Sequence, residues 1–179
     1  MKELSLHILD VMENCTEAGA KKVSLCIEED KGEGKLKIVI EDDGKGMSPE
    51  ELNRVLDPFY TTRSTRRVGL GLPLFFETAK RCDGDFRLES QPGKGTRVEA
   101  SFTVDHIDLP PMGDLAGTIT AFIVGHPEVD LTYVYRTNGD EFVLDTEEVK
   151  GILGVDELTD PAIIEFLRGK IREAVIQMP

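Results

Sequence analysis

The sequence predicts an α/β (α+β) chain, and three observations carry that reading. The first ~18 residues repeat apolar side chains at helical spacing. Two runs of strict alternation follow, joined by a glycine-rich turn. A second apolar helix and two further strands joined by a turn follow them.

In the first helix Leu4, Ile8, Val11, Met12 and Cys15 form the apolar stripe, and Glu3, His7, Asp10, Asn14 and Glu17 share a polar face. Gly19 in "EAGA" is the expected left-handed stop. Val23, Leu25 and Ile27 alternate, as do Leu36, Ile38 and Ile40 across the turn "KGEG", which suits a hairpin. Continuing the alternation puts Asp42 on the face of Ile38 and Ile40. A carboxylate turned toward the core is costly unless a donor meets it. Ser48, Pro49 and Glu51 form a capping-box helix start. After an irregular stretch from Asp57 to Val68, an apolar helix over Leu72–Arg81 opens directly behind Gly69 and Gly71. Strands are expected at Asp85–Ser90 and Arg97–Val104, joined by "QPGKG".

The paired prolines of "DHIDLPPMGD" interrupt any regular element and divide the chain into residues 1–104 and an extension, 105–179. In the extension "TITAFIV" reads as a strand and "LTYVYRTNGDEFVL" as a hairpin on an Asn-Gly turn. A final helix is capped by Asp160 and opened by Pro161, with Ile164, Leu167, Ile171, Ala174, Val175 and Met178 as its stripe. This part could extend the main sheet, form a small domain or build a homodimer interface.

The net charge of −13 argues against nucleic acid as a partner. No apolar run approaches the ~20 residues of a membrane span, and the acidic start does not read as a signal peptide. Cys15, Cys26 and Cys82 lack pair spacing and read as reduced core thiols, so a cytoplasmic location is expected.

Three glycine-rich turns, "DDGKG", "VGLGL" and "PGKGT", suit close approach of backbone N–H groups to an anion. None is a P-loop. Taken in order with their neighbours, they resemble the GHKL superfamily of ATP-binding domains, which includes gyrase, heat-shock chaperones, histidine kinases and MutL. "ENCTEAGA" matches the asparagine box, "DDGKGM" the first glycine box and "DPFYTT" the phenylalanine box. "GLGLPL" matches the second glycine box and "GKGTRVEASF" the last. The resemblance covers residues 4 to 104 and is closest to the histidine-kinase-type catalytic domain.

The resemblance implies a Bergerat-type two-layer sandwich, with a mixed, mainly antiparallel sheet covered by helices on one face. It implies binding of ATP or ADP with Mg²⁺. Asp42 would accept a hydrogen bond from the adenine amine, where guanine presents a carbonyl. Gly44, Gly46 and Met47 would pass close to the base, and Thr96 would help position it. Asn14 would bind Mg²⁺ through its amide oxygen. Gly69, Leu70, Gly71 and Leu72 would turn backbone N–H groups and the positive helix end toward the phosphates. Arg63, with Arg66 and Arg67, would sit in the lid. Asp10, one turn before Asn14, would act as general base through a water or only hold a magnesium-bound water; Glu13 is the alternative base. His7 is expected at the surface or the pocket edge, and His106 and His126 outside the site.

Three functions follow from these expectations. One is a histidine-kinase-like catalytic domain without its own phospho-acceptor helix, acting on a partner protein. The others are a slow MutL-like ATPase switch and a nucleotide-sensing module without turnover.

Overall fold

The computed structural model describes residues 3–57 and 71–177. Most of "DPFYTT", the lid arginines, Gly69, Leu70 and Met178 lie outside them. The elements are α1 (Leu4–Glu17), β1 (Lys22–Asp30), β2 (Lys35–Asp42), α2 (Pro49–Arg54), α3 (Gly71–Arg81), β3 (Phe86–Gln91) and β4 (Gly95–Thr103). They continue with α4 (Leu115–Gly125), β5 (Asp130–Thr137), β6 (Asp140–Asp145), α5 (Thr146–Leu153) and α6 (Pro161–Gln177).

The six strands form one sheet in the order β3-β4-β2-β1-β5-β6. Every neighbouring pair is antiparallel except β1 and β5, which run parallel. Alternation sends Leu25, Ile27, Ile38, Ile40, Val98, Ala100, Phe102, Leu131 and Tyr133 to one face, where all are buried. The helices cover that face: α1 lies over β2, α3 over β3 and β4, α4 beside α1, and α6 beside α4. The opposite face carries charged pairs such as Arg97 with Glu41 and Glu99, at 2.7 and 2.6 Å. This is the expected mixed sheet with helices on one side.

The sequence signals for individual elements hold where they are local. Gly19 ends α1 at φ 76°. Ser48 Oγ accepts from the Glu51 N–H at 3.2 Å, and both halves of the capping box are present. Asn138 and Gly139 both adopt positive φ, the conformation of a two-residue hairpin turn. Asp160 accepts from the Ala162 N–H at 2.8 Å at the head of α6.

"TITAFIV" is the exception, for it lies within a helix, α4, rather than a strand. Thr118, Ile119, Thr120, Ile123 and Val124 give the run its strand-like composition. Asp114, however, caps a helix by accepting from the Gly117 N–H at 3.0 Å. Between α1 and α6 the helix buries residues around most of its circumference, which removes the polar face that would have shown a helical period. Helix α5 was not foreseen; Asp145 caps its start, and Gly154 ends it in the left-handed conformation.

One histidine, His7, and one cysteine, Cys26, also depart from expectation. Cys26 lies on the outer sheet face, half-exposed, with the Arg136 guanidinium 3.7 Å from its sulfur; Cys15 and Cys82 are buried thiols as expected. His126 joins α1, as described below. His7 is buried, with 1% of its surface exposed, because α3 docks on this part of α1. Its ring stacks on Phe75 at 5.5 Å. The Thr78 hydroxyl donates to the Leu74 carbonyl at 2.9 Å, so it can only accept from His7 Nε2, 3.3 Å away. Nε2 therefore carries the proton, and Nδ1 has no partner among the described residues.

Burial pushes the His7 pKa down to about 4. The unfolded chain takes up this proton near pH 6.5. Between those values it is protonated only when unfolded, so its contribution favours unfolding increasingly as pH falls through the window. Denaturant unfolding at pH 7 and pH 4.5 is expected to show a smaller pH-dependent loss for His7→Phe than for the parent. Parallel losses in the two proteins would rule out this role for His7.

Candidate nucleotide site

Helix α1 brings the two ends of the site together. On one side, an added Cβ at Gly71 would stand 3.1 Å from Asp10 Cβ, 3.6 Å from Asp10 Oδ2 and 3.7 Å from Asn14 Nδ2. The head of α3 is thus seated on the acid and the amide predicted one helical turn apart. A side chain at position 71 would push into the Asp10 side chain, so glycine permits the approach. Gly71 is the first described residue of α3. Leu72 turns its side chain into the core, which leaves only its backbone to face a ligand.

On the other side of α1, Cys15 lies against Asp42. The Cys15 thiol donates to the Val11 carbonyl at 3.3 Å. Its pKa is raised by burial first and by the charge of the Asp42 carboxylate next. Asp42 ends β2 on the inner sheet face, paired across β4 with Thr96 and across β1 with Val23. The carboxylate is half-buried, and Oδ1 accepts from the Gly44 N–H at 2.7 Å. Burial holds its pKa above the ordinary carboxylate value, against the lowering effect of the Gly44 hydrogen bond. The core-facing acid of the sequence is therefore a real feature, anchored by one oxygen to its own turn. Asp43 faces the other way and accepts from the Lys21 and Lys22 N–H groups at 2.8 and 2.9 Å.

The first and last glycine boxes are laced together. Gly46 has φ 70°, and a Cβ there would strike the Gln91 carbonyl, so both conformation and space require glycine. The Gly93 N–H donates to the Lys45 carbonyl at 2.6 Å. The Met47 N–H donates to Ser90 Oγ at 2.8 Å, and Ser90 Oγ donates to the Gly95 carbonyl at 2.9 Å. With its proton committed there, Ser90 accepts from Thr96 Oγ1 at 2.8 Å. Thr96 keeps acceptor capacity on the same inner row as Asp42. Gly44 is also closely packed, since a Cβ would meet the Ala18 carbonyl at 2.8 Å.

Glu13 is not gathered with Asp10 and Asn14 at Gly71. Its carboxylate meets His126 Nε2 at 2.8 Å, which ties α1 to the residue that caps α4. The predicted residues thus divide. Asp10, Asn14 and Gly71 form one cluster, and Asp42, Gly44, Gly46, Met47 and Thr96 another. Leu72 contributes its backbone, Glu13 pairs with His126, and Arg63, Gly69 and Leu70 lie outside the described residues. Ser90 and Cys15 were missed as members of the site. Alternation along β3 places Ser90 on the inner face with Phe86 and Leu88, so that signal was available.

A magnesium ion fits this donor set. The described residues contain no group of three or more His, Cys, Asp or Glu able to hold a metal. Asn14 and Asp10 supply a sparse oxygen set, which suits an ion that retains waters and takes its other ligands from phosphates.

The comparisons agree with the geometry. Residues 2–107 match the family described as histidine kinase-, DNA gyrase B-, and HSP90-like ATPase. Sporulation kinase C of Bacillus subtilis (strain 168) is 33% identical over 94 residues, which cover 52% of this chain and 22% of the relative. Sporulation kinase E of the same organism is 40% identical over 73 residues, covering 41% and 9%. The chain therefore spans less than a quarter of these relatives. Among solved structures, the Aquifex aeolicus MutL ATPase domain complexed with ADP aligns with a TM-score of 0.52 at 18% identity, covering 87% of this chain and 70% of that one. The N-terminal domain of a DNA repair protein aligns with a TM-score of 0.56 at 14% identity, covering 81% and 53%. With the fold, the two clusters built around glycines and the sequence match in accord, this chain belongs to the histidine kinase-, DNA gyrase B- and HSP90-like ATPase family.

Proposed function

We propose that the chain binds ATP with Mg²⁺ and acts as a histidine-kinase-like catalytic domain that signals to a partner protein. The observation that carries the reading is the position of α1, which sets Asn14 against Gly71 and, where it ends, the Ala18 carbonyl 2.9 Å from the Lys45 N–H in the turn after Asp42. One rigid element thereby spans a site for a base and a site for phosphates. The Asp42 oxygen not fixed by Gly44 would accept from the adenine amine. Thr96 would offer an acceptor beside it, and the N–H groups at the head of α3 would meet the phosphates. Asn14 would hold Mg²⁺ through its amide oxygen, with Asp10 at most holding a magnesium-bound water, and the ion would neutralise charge on the phosphates. No helix among the described residues is long and apolar enough to cross a membrane; we place the activity in the cytoplasm.

A second reading, slow ATP hydrolysis, is favoured by the seating of Asp10 against Gly71 beside Asn14. There a carboxylate could take the proton of an attacking water. Glu13 stands apart from Gly71, its carboxylate 2.8 Å from His126 Nε2. Calorimetry with ATP, with and without Mg²⁺, tests the common premise: Mg²⁺-dependent binding is expected, and no heat at saturating ATP would defeat both readings. Free phosphate released by the pure protein, reduced at least 100-fold in Asp10→Asn with binding retained, identifies hydrolysis. Transfer of γ-phosphate label to an added sensor-kinase phospho-acceptor domain, with little free phosphate, identifies the kinase.

A further inference from the structure

Charge in this chain is unevenly placed. Residues 105–179 hold 15 Asp and Glu against 5 Lys and Arg, a net −10 of the total −13; residues 1–104 carry only −3. Within the acidic part, residues 151–157, "GILGVDE", are exposed without interruption. Ile152 is 75% exposed, Leu153 47% and Val155 37%. Ile152 and Leu153 at the end of α5 and Val155 just after it leave much of their aliphatic surface in solvent, and neighbouring apolar surface of this kind marks interaction sites. Acids rim it: Glu148 precedes Ile152 by one helical turn on the same face of α5, and Asp156 and Glu157 follow Val155 directly.

The support beneath is rigid. Lys150 Nζ donates to Asp130 at 2.8 Å and to the Pro127 carbonyl at 3.3 Å, and the Leu131 N–H donates to Thr146 Oγ1 at 2.8 Å. Leu158, fully buried, pins the chain just after the bend. The apolar side chains are therefore presented in a fixed arrangement, which lowers the ordering cost of binding.

We propose that the C-terminal end of α5 and the bend after it dock a basic amphipathic segment of another protein, one whose Lys and Arg flank a short apolar stretch. Charge complementarity selects this occupant. A second copy would bring two net −10 surfaces together, and like charges oppose that contact. An anionic membrane surface is disfavoured for the same reason. The patch is small, so the complex is transient.

The test uses the whole chain without nucleotide, which separates it from the ATP reading. The probe is a fluorescent 18-residue Lys/Leu amphipathic peptide, followed by anisotropy. Its control replaces every Leu by Ser at unchanged charge. The parent is expected to bind the Lys/Leu peptide at least tenfold more tightly than the control. The triple variant Ile152→Ser, Leu153→Ser, Val155→Ser keeps every charge; Glu148→Gln, Asp156→Asn, Glu157→Gln keeps every apolar group. Each is expected to weaken binding at least tenfold with an unchanged melting temperature. Equal binding by the serine variant would show non-specific attraction to an acidic protein and overturn the proposal. Light scattering that shows a parent dimer, made monomeric by the serine variant, would assign the surface to a second copy and overturn it equally.

Discussion

A chain ended after Val104 is expected to lose cooperative folding, although residues 2–107 contain the whole of the family match. Strand β1 would become a sheet edge, because β5 pairs with it along the register from Lys22↔Asp130 to Glu29↔Thr137. Helix α1 would lose two acceptors, since the Leu4 and Ser5 N–H groups donate to the Pro111 and Met112 carbonyls at 2.9 Å each. It would also lose α4, which packs along it, and the Glu13–His126 contact. Of the 34 buried residues in the core cluster, 15 lie beyond residue 104. Re-exposing even four or five of their former neighbours, at about 1.5–3 kcal/mol for each large aliphatic side chain, matches the roughly 5–15 kcal/mol that stabilises a whole domain. Thermal unfolding followed by circular dichroism, with limited proteolysis of the two lengths, checks this. A sharp transition in the shorter chain within a few degrees of the full one would show that the later elements are an accessory.

The same dependence explains what could and could not be read from the sequence. Signals confined to a few neighbouring residues were legible: the stripe of α1, the "KGEG" hairpin, the Ser48 capping box and the Asn138-Gly139 turn. So was the inward Asp42, because strand alternation alone places it. The glycine boxes were readable as a set, but their contact was not. That Gly46 rests on Gln91 and that Gly71 rests on Asp10 are facts of close approach between distant segments. His7 shares a helical face with Asp10 and Asn14, and only the docking of Phe75 and Thr78 makes its end of that face dry. Glu13 meets His126 from 113 positions away. Helix α4 was misread because burial on most sides erased its period, leaving β-branched composition as the local signal.

For Asp42→Asn, ATP and ADP affinity is expected to fall about 10- to 100-fold, the equivalent of the ~1.5–3 kcal/mol assigned to a hydrogen bond with a charged partner. The substitution is chosen because it spares the fold. An asparagine Oδ1 can still accept from the Gly44 N–H, now 2.7 Å from the aspartate oxygen, so the turn that seats Gly46 on Gln91 is kept. What changes is the second group on the side chain. The carboxylate oxygen is an acceptor, whereas the amide nitrogen is a donor and would oppose the donor amine of adenine. The variant should therefore lose discrimination as well as affinity: guanine presents a carbonyl at that edge, and the ratio of ATP to GTP binding should fall by more than the affinity for GTP itself. Removal of a half-buried charge whose pKa burial already raises should cost the protein nothing in stability. Titration with both nucleotides, alongside a melting curve that matches the parent, separates the outcomes. Unchanged ATP affinity would remove Asp42 from the base site. Equal losses for ATP and GTP would move it from reading the base to shaping the turn.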